Sequence, residues 1–253
     1  MPSYVITGAS RNVGLAFIKQ LANSPGNTVI ALNRSPFKEA VQGRERDSSG
    51  SFRFSSLQSA VKEIDRITGG TLDVLLLNAG GSQTVHVPLA QGREEELPEA
   101  LLHAFRNNTV GNVQFISLIL PLLRKGGMKK IFAMTSGNGV PSCIRELKLQ
   151  GQWPYATTKG ALDIALIRLS NELQPEGFTV VSISPGVVWD RAGAEEIGLD
   201  FDQLKARITA IPGSSGVLTP DEGAKIMLGV MDKMTEKDSG RVVGMWGTED
   251  KCL

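Results

Sequence analysis

The chain is poor in the residues that most often announce chemistry on their own. It holds two cysteines, two histidines and two tyrosines in 253 residues. Cys143 and Cys252 make neither a disulfide framework nor a metal-ligand spacing, which points to a reducing compartment. His86 and His103 are too isolated for a metal claim, so no metal site is expected. Charge of one sign is also missing. Lys+Arg number 27 against Asp+Glu 26, a net charge of +1. That balance gives no support for a nucleic-acid or polybasic membrane surface. Nor is there a long hydrophobic run. The stretch from Val113 to Leu123 contains Gln114 and Ser117 and is too short to span a bilayer. The first strand reads from Ser3, leaving no room for a signal peptide, and a cytoplasmic location is expected. No internal repeat or low-complexity linker divides the chain, so residues 1–253 read as one domain.

What is present is a core. Apolar residues make up 41% of the chain, and they fall in short runs that alternate with helical stretches. Strands are expected at Ser3–Thr7, Thr28–Leu32, Leu72–Leu77, Lys130–Thr135, Thr179–Ser184 and Arg241–Met245. The run "LDVLLL" lacks polar alternation, the mark of a strand buried on both faces. Helices are expected at Asn12–Asn23 and near 57–68, 97–124, 154–173 and 220–234. Such alternation implies an α/β fold, a parallel sheet with helices on both faces. Two helical runs, Val113 to Leu123 and Ala161 to Leu169, are apolar nearly all round. A helix on a sheet needs one apolar stripe. The second stripe fits a subunit interface of a homodimer or homotetramer, or deep burial under a loop. The segment near 189–219 is irregular and glycine-bearing and suggests a lid.

Three stretches suit a dinucleotide. "TGASRNVG", Thr7 to Gly14, joins the first strand to the first helix. Glycines there let the backbone approach a phosphate, and a helix N-terminus offers free N–H groups. Asn12 stands where a middle glycine is usual. Strand two ends "ALNRS", with Asn33 and Arg34 and no carboxylate. Arg34 and Arg11 together fit a ribose 2′-phosphate, since guanidinium binds phosphate bidentately. That argues for NADP(H); the alternative is a solvated loop arginine. "LLLNAGG" places Asn78 at the end of a central strand, where ligands of open parallel sheets lie. Asn108 lies within an expected helix, although Asn is a poor helix former.

Tyr155 and Lys159 are four apart and share a helix face. An ammonium beside a phenol favours the phenolate and lowers its pKa. Alone, the pair fits equally an exposed Tyr–Lys pair in a first helical turn. Together, "TGASRNVG", "LNAG", Asn108, Ser136, "YATTK" and "SPGVV" resemble the short-chain dehydrogenase/reductases over the whole chain. Within them the chain is similar to carbonyl reductases of the C-factor/sniffer and norsolorinic-acid-ketoreductase kind.

The resemblance implies a doubly wound Rossmann sheet of about seven strands in a three-layer αβα domain. It implies that Thr7, Gly8, Arg11, Asn12, Val13 and Gly14 surround the cofactor pyrophosphate and adenosine ribose. Asn33, Arg34, Ser55 and Leu57 extend the cofactor set, with Ser55 where an Asp commonly binds adenine. Asn78, Ala79 and Gly80 would line the cofactor's inner edge, and Pro185, Gly186 and Val188 would pack beside the nicotinamide. Ser136 would orient a carbonyl, Tyr155 donate a proton, Lys159 bind the nicotinamide ribose and depress the Tyr155 pKa, and Asn108 hold a relay water. Ser136 and Tyr155 are 19 positions apart (155 − 136), longer than usual in the family, and Ser142 is the alternative serine. Asp190 stands where a Thr often meets the carboxamide.

The expected activity is NADPH-dependent reduction of a ketone or aldehyde, reversible as alcohol oxidation. Two alternatives stay open: an NADP-binding isomerase or cyclase, and a non-enzymatic NADP(H) scaffold or sensor. The apolar residues Trp153, Trp189, Ile197, Leu199, Phe201, Leu204 and Ile208 suggest an apolar or aromatic substrate, or merely pack the lid.

Overall fold

Strands without polar alternation demand cover on both faces, and the structure, a computed structural model, supplies it. It describes residues 1–33, 57–81, 95–189, 191–196, 200–211, 214 and 216–249. Strands β1 (Ser3–Thr7) and β2 (Thr28–Leu32) flank helix α1 (Asn12–Ala22). Helix α2 (Leu57–Thr68) leads to β3 (Val74–Leu77), all four of whose residues are buried. Helices α3 (Leu97–Phe105) and α4 (Gly111–Lys125) precede β4 (Lys130–Met134). The short α5 (Pro141–Glu146) and the long α6 (Trp153–Leu173) precede β5 (Thr179–Ser184). Then come β6 (Val187–Val188), α7 (Arg191–Glu196), α8 (Phe201–Thr209), β7 (Val217–Leu218), α9 (Pro220–Lys233) and β8 (Val242–Gly244).

The main sheet has six parallel strands in the order β2-β1-β3-β4-β5-β8, and β6 and β7 pair separately. Successive residues of each strand feed opposite layers. Val5, Leu75, Leu77, Ile131 and Val180 meet α2, α4 and α6 through Ile64, Phe115, Ile119, Leu162 and Leu166. Ile6, Leu76, Phe132 and Ile183 meet α1 and α9 through Phe17, Leu21, Met227 and Met231. The chain winds outward from β1 to β2, then returns to place β3 on the other side of β1. Strand order therefore reverses between β1 and β3, where the carboxyl ends of the strands open a crevice.

Two expectations need correction. About seven strands were expected and the main sheet has six. β2 is its edge among the described residues, and residues 34–56 beyond it lie outside them. The expected helix over 97–124 is instead two helices joined by a π-turn at Arg106–Val110. There the Gly111 amide donates to the Arg106 carbonyl, one residue further back than in an α-helix. Cys143 is buried and is not a free thiol, which removes the support that unlinked cysteines gave to a reducing compartment. No described helix is long and apolar enough to cross a membrane.

The α4–β4 turn is held at its base. Asp73 accepts hydrogen bonds from the Ser3 amide at 2.8 Å, the Ser3 hydroxyl at 3.0 Å and the Gly127 amide at 2.8 Å. The neighbouring Gly126 is buried, and a Cβ there would run into the Leu72 carbonyl. Gly126→Ala is therefore expected to destabilise the chain by about 1–3 kcal/mol through overpacking, read as a lower denaturation midpoint in urea.

Candidate active site

The crevice at the β1–β3 crossing is closed by one amide side chain. Asn78 Nδ2 donates to the Thr7 carbonyl at 3.1 Å and to the Gly8 carbonyl at 2.9 Å. The Thr7 hydroxyl accepts from the amides of Asn78 at 3.1 Å and Ala79 at 2.9 Å. The two strand ends are thereby sewn together. Gly8 has φ +66°, and a Cβ there would lie 2.7 Å from Ala79 Cα. Only glycine meets both demands. Gly14 abuts the Gly8 carbonyl and Asn78 Nδ2, so α1 starts close under the turn.

Asn12 takes φ +51° at the first position of α1. Asn tolerates this left-handed backbone better than other side chains, which explains how it replaces the usual glycine. Its buried Oδ1 has no protein partner. Asn33, at the end of β2 and 8% exposed, has neither amide atom partnered. Buried amides left open around a glycine cradle at a helix N-terminus fit a dinucleotide, whose hydroxyls and phosphates would satisfy them. Arg11 and Val13 flank Asn12 on the same turn. Leu57 packs against the core at the start of α2. Arg34, Ser55, His86, Asp190, Ile197 and Leu199 lie outside the described residues.

A second cluster forms where α6 crosses the ends of β3 and β4. The π-turn carries Asn108 inward, 1% exposed. Its Oδ1 accepts from the Gly81 amide at 3.1 Å, while its Nδ2 donates to the Gly81 carbonyl and the Thr158 hydroxyl, both at 3.1 Å. Thr109 Oγ1 donates to the Thr158 carbonyl at 2.9 Å, and Asn112 Nδ2 to the Asn108 carbonyl at 2.8 Å. A Cβ at Gly80 would lie 3.1 Å from Lys159 Nζ and 3.2 Å from Asn108 Oδ1. Gly80 thus lets the β3 loop settle between the two.

Lys159 is buried and donates from Nζ to the Met134 carbonyl at 2.6 Å. Burial lowers its pKa to about 8, against an opposing pull from Asp163. Its Nζ sits 5.7 Å from the Tyr155 ring centroid. Ser136 begins a 3₁₀ turn, Gly137–Gly139, whose Asn138 amide its Oγ accepts at 3.2 Å. Ser136 also lies near enough to Tyr155 for its hydroxyl to act on the phenol, whereas Ser142 on α5 is exposed. The structure brings Ser136, not Ser142, to the phenol. The expected depression of the Tyr155 pKa is not seen. Burial of the phenol raises it, the nearby Ser136 hydroxyl lowers it, and the Asp163 charge raises it again, leaving it above its ordinary value.

Several positioning contacts had no sequence signal strong enough to single them out. A Cβ at Gly139 would lie 2.5 Å from the Gly160 amide, so the Ser136 turn sits directly on α6, one residue past Lys159. The Gly137 amide donates to Ser184 Oγ at 2.9 Å. Asn138 Nδ2 donates at 3.3 Å to Oε1 of Gln152, which opens α6 with φ +51°. Pro185 and Gly186, the latter at φ +67°, turn the chain off β5, and Val188 packs on Gly223 of α9.

The family profile described as short chain dehydrogenase matches residues 3–196. The chain is a short-chain dehydrogenase/reductase. Among curated relatives, the short-chain dehydrogenase/reductase AacuF of Aspergillus aculeatus is 31% identical, covering 98% of this chain and 99% of its own. The short chain dehydrogenase virK of Hypocrea virens is 30% identical over 95% of each. Among solved structures, the carbonyl reductase Sniffer of D. melanogaster superposes with a TM-score of 0.73 at 24% identity, covering 98% of both chains. An NADPH-bound carbonyl reductase from chicken fatty liver gives 0.73 at 22% identity, also over 98% of both. Those two likenesses establish the fold. Membership of the family implies a nicotinamide cofactor.

If the unpartnered Asn33 amide belongs to that cofactor, Asn33→Ala removes no internal hydrogen bond. The variant is expected to keep or slightly raise its unfolding midpoint, while its dissociation constant for NADPH, read by fluorescence titration, rises about tenfold.

Proposed function

We propose that this short-chain dehydrogenase/reductase reduces a ketone or aldehyde to an alcohol with NADPH, in a reaction reversible as alcohol oxidation. The observation that carries this reading is the convergence of Ser136, Tyr155, Lys159 and Asn108 at the strand ends beside the glycine turn. The bound nicotinamide would supply the hydride. Thr7 to Gly14, Asn33, Arg34 and Asn78 to Gly80 would hold the dinucleotide, and Pro185, Gly186 and Val188 would border its nicotinamide. Arg11 and Arg34, with no carboxylate at the end of β2, support a 2′-phosphate and hence NADP(H).

Ser136 lies close to the Tyr155 phenol, so a carbonyl oxygen placed between the two hydroxyls would accept a hydrogen bond from each. Those donors stabilise the negative charge that gathers on the oxygen. Tyr155 then delivers its proton to that oxygen. A raised phenol pKa suits a donor, since it keeps the proton in place until the oxygen becomes basic. Asn108 would hold a water that, with Lys159, returns a proton toward the phenol. Phe201, Leu204 and Ile208 are the half-buried positions of α8 and form its inward stripe; with Trp153 and Trp189 they support an apolar or aromatic substrate.

Tyr155→Phe is expected to bind NADPH as the parent does and to lose turnover by at least about 100-fold, measured as NADPH oxidation over a panel of aromatic ketones and aldehydes. Near-parental turnover would rule the assignment out. Arg34→Ala should erode the preference for NADPH over NADH.

The same reading includes a homo-oligomer. Val113 on α4 is 41% exposed, and Ile164 and Ile167 on α6 are 63% and 38% exposed. These are the outward apolar stripes of the two helices, and exposed apolar patches of this kind mark interfaces. Ile164→Lys is expected to shift the chain to a smaller species in light scattering, with its fold retained.

A further inference from the structure

Below the catalytic cluster lies a second group of polar atoms that the reduction chemistry leaves unused. Asp163 follows Lys159 by four residues, so the two side chains share one face of α6, a turn apart. Both are buried, 3% and 6% exposed for Lys159 and Asp163. Neither carboxyl oxygen of Asp163 has a hydrogen-bond partner. Two hydroxyls face it from the sheet, Thr135 just past β4 and Ser182 on β5, and these oxygens too are buried and unpartnered. They lie close enough to favour the charged carboxyl but short of direct hydrogen bonds. A gap of this kind among buried polar atoms is one that a single internal water fills.

We propose that Asp163 is a positioning residue for Lys159, the buried counter-charge that keeps its ammonium protonated beneath the catalytic tyrosine. Thr135 and Ser182 complete the polar floor in which that carboxylate sits. This inference rests on Lys159 belonging to the catalytic set. Lys159 donates a hydrogen bond to the Met134 carbonyl, a neutral group that does little to offset the loss of hydration. An ammonium buried so completely needs an anion nearby to stay charged. Among the described residues, Asp163 is the one charged group whose field favours that ammonium. Along α6, Tyr155 lies two turns from it and Lys159 one turn. From β4 and β5 the sheet offers it only hydroxyls. Lys159 is likewise the one cation among the described residues that acts on Asp163, whose carboxyl burial pushes up to about 6. Between about 6 and about 8 the carboxylate and the ammonium are therefore both charged.

The sign of the coupling follows. Removing the anion leaves burial unopposed, so the ammonium gives up its proton at lower pH. The test needs neither substrate nor cofactor. With ¹³C-labelled lysine, one side chain should titrate near 8, well below the other lysines, and vanish in Lys159→Arg. In Asp163→Asn that midpoint is expected to fall by about one pH unit, and in Asp163→Glu to return toward the parental value. An unchanged midpoint in Asp163→Asn overturns the proposal. Should Asp163→Asn fail to fold, the reciprocal measurement decides. In Lys159→Met the ¹³C-labelled Asp163 carboxyl is expected to titrate above about 6, and no upward movement overturns the proposal. A chain that reduces no carbonyl would defeat the reductase reading and leave these titrations standing.

Discussion

Everything around the site follows from carrying one ammonium group into the interior of the protein. Lys159 cannot be hydrated where it lies, so the fold must supply its partners from several directions. The end of β4 gives a carbonyl, the loop after β3 gives a glycine small enough to let that loop close in, and α6 itself gives a carboxylate one turn on. Each partner is held by a different element, and none could move far without exposing the others. A buried charge is expensive, and proteins keep one where its field is used. Here the ammonium lies 5.7 Å from the centre of the Tyr155 ring.

The precision of the site comes from places where side chains are missing. Gly8 against Ala79, Gly80 against Lys159 and Gly139 against Gly160 are all contacts that a methyl group would prevent. They bring three loops within reach of one helix. Backbone amides then complete the arrangement, as where Gly137 donates to Ser184. The approach of Ser136 to Tyr155 depends on this seating, because the insertion between the two residues runs through three left-handed positions, Lys148, Gly151 and Gln152, before α6 begins.

Much of this was legible in the chain. Buried parallel strands announce themselves by unbroken apolar runs, and β1, β2 and β5 begin and end where that pattern places them. Tyr155, Lys159 and Ser136 stood out only through the whole set of motifs that resembles the family, since the four-residue spacing alone fits a surface pair better. Other features were not. The role of Asp163 has no local signature, because an acid four residues past a lysine is usually a surface pair. Gly139 and Gly160 are 21 positions apart in the chain (160 − 139), and nothing in either neighbourhood says that they touch. The direction of the Tyr155 pKa also escaped sequence reasoning, since that weighed a neighbouring cation and could not weigh burial. The continuous helix expected over 97–124 failed because the π-turn, Arg106–Val110, carries no proline or glycine to mark it.

That π-turn has a consequence of phase. One extra residue rotates everything after it by about 100° relative to a continuous α-helix. The apolar stripe of α3 and that of α4 are consequently out of register with each other. A single inserted residue has let one stretch of chain address two surfaces. Asn108 looks inward to the crevice, while Val113, five residues on, looks out.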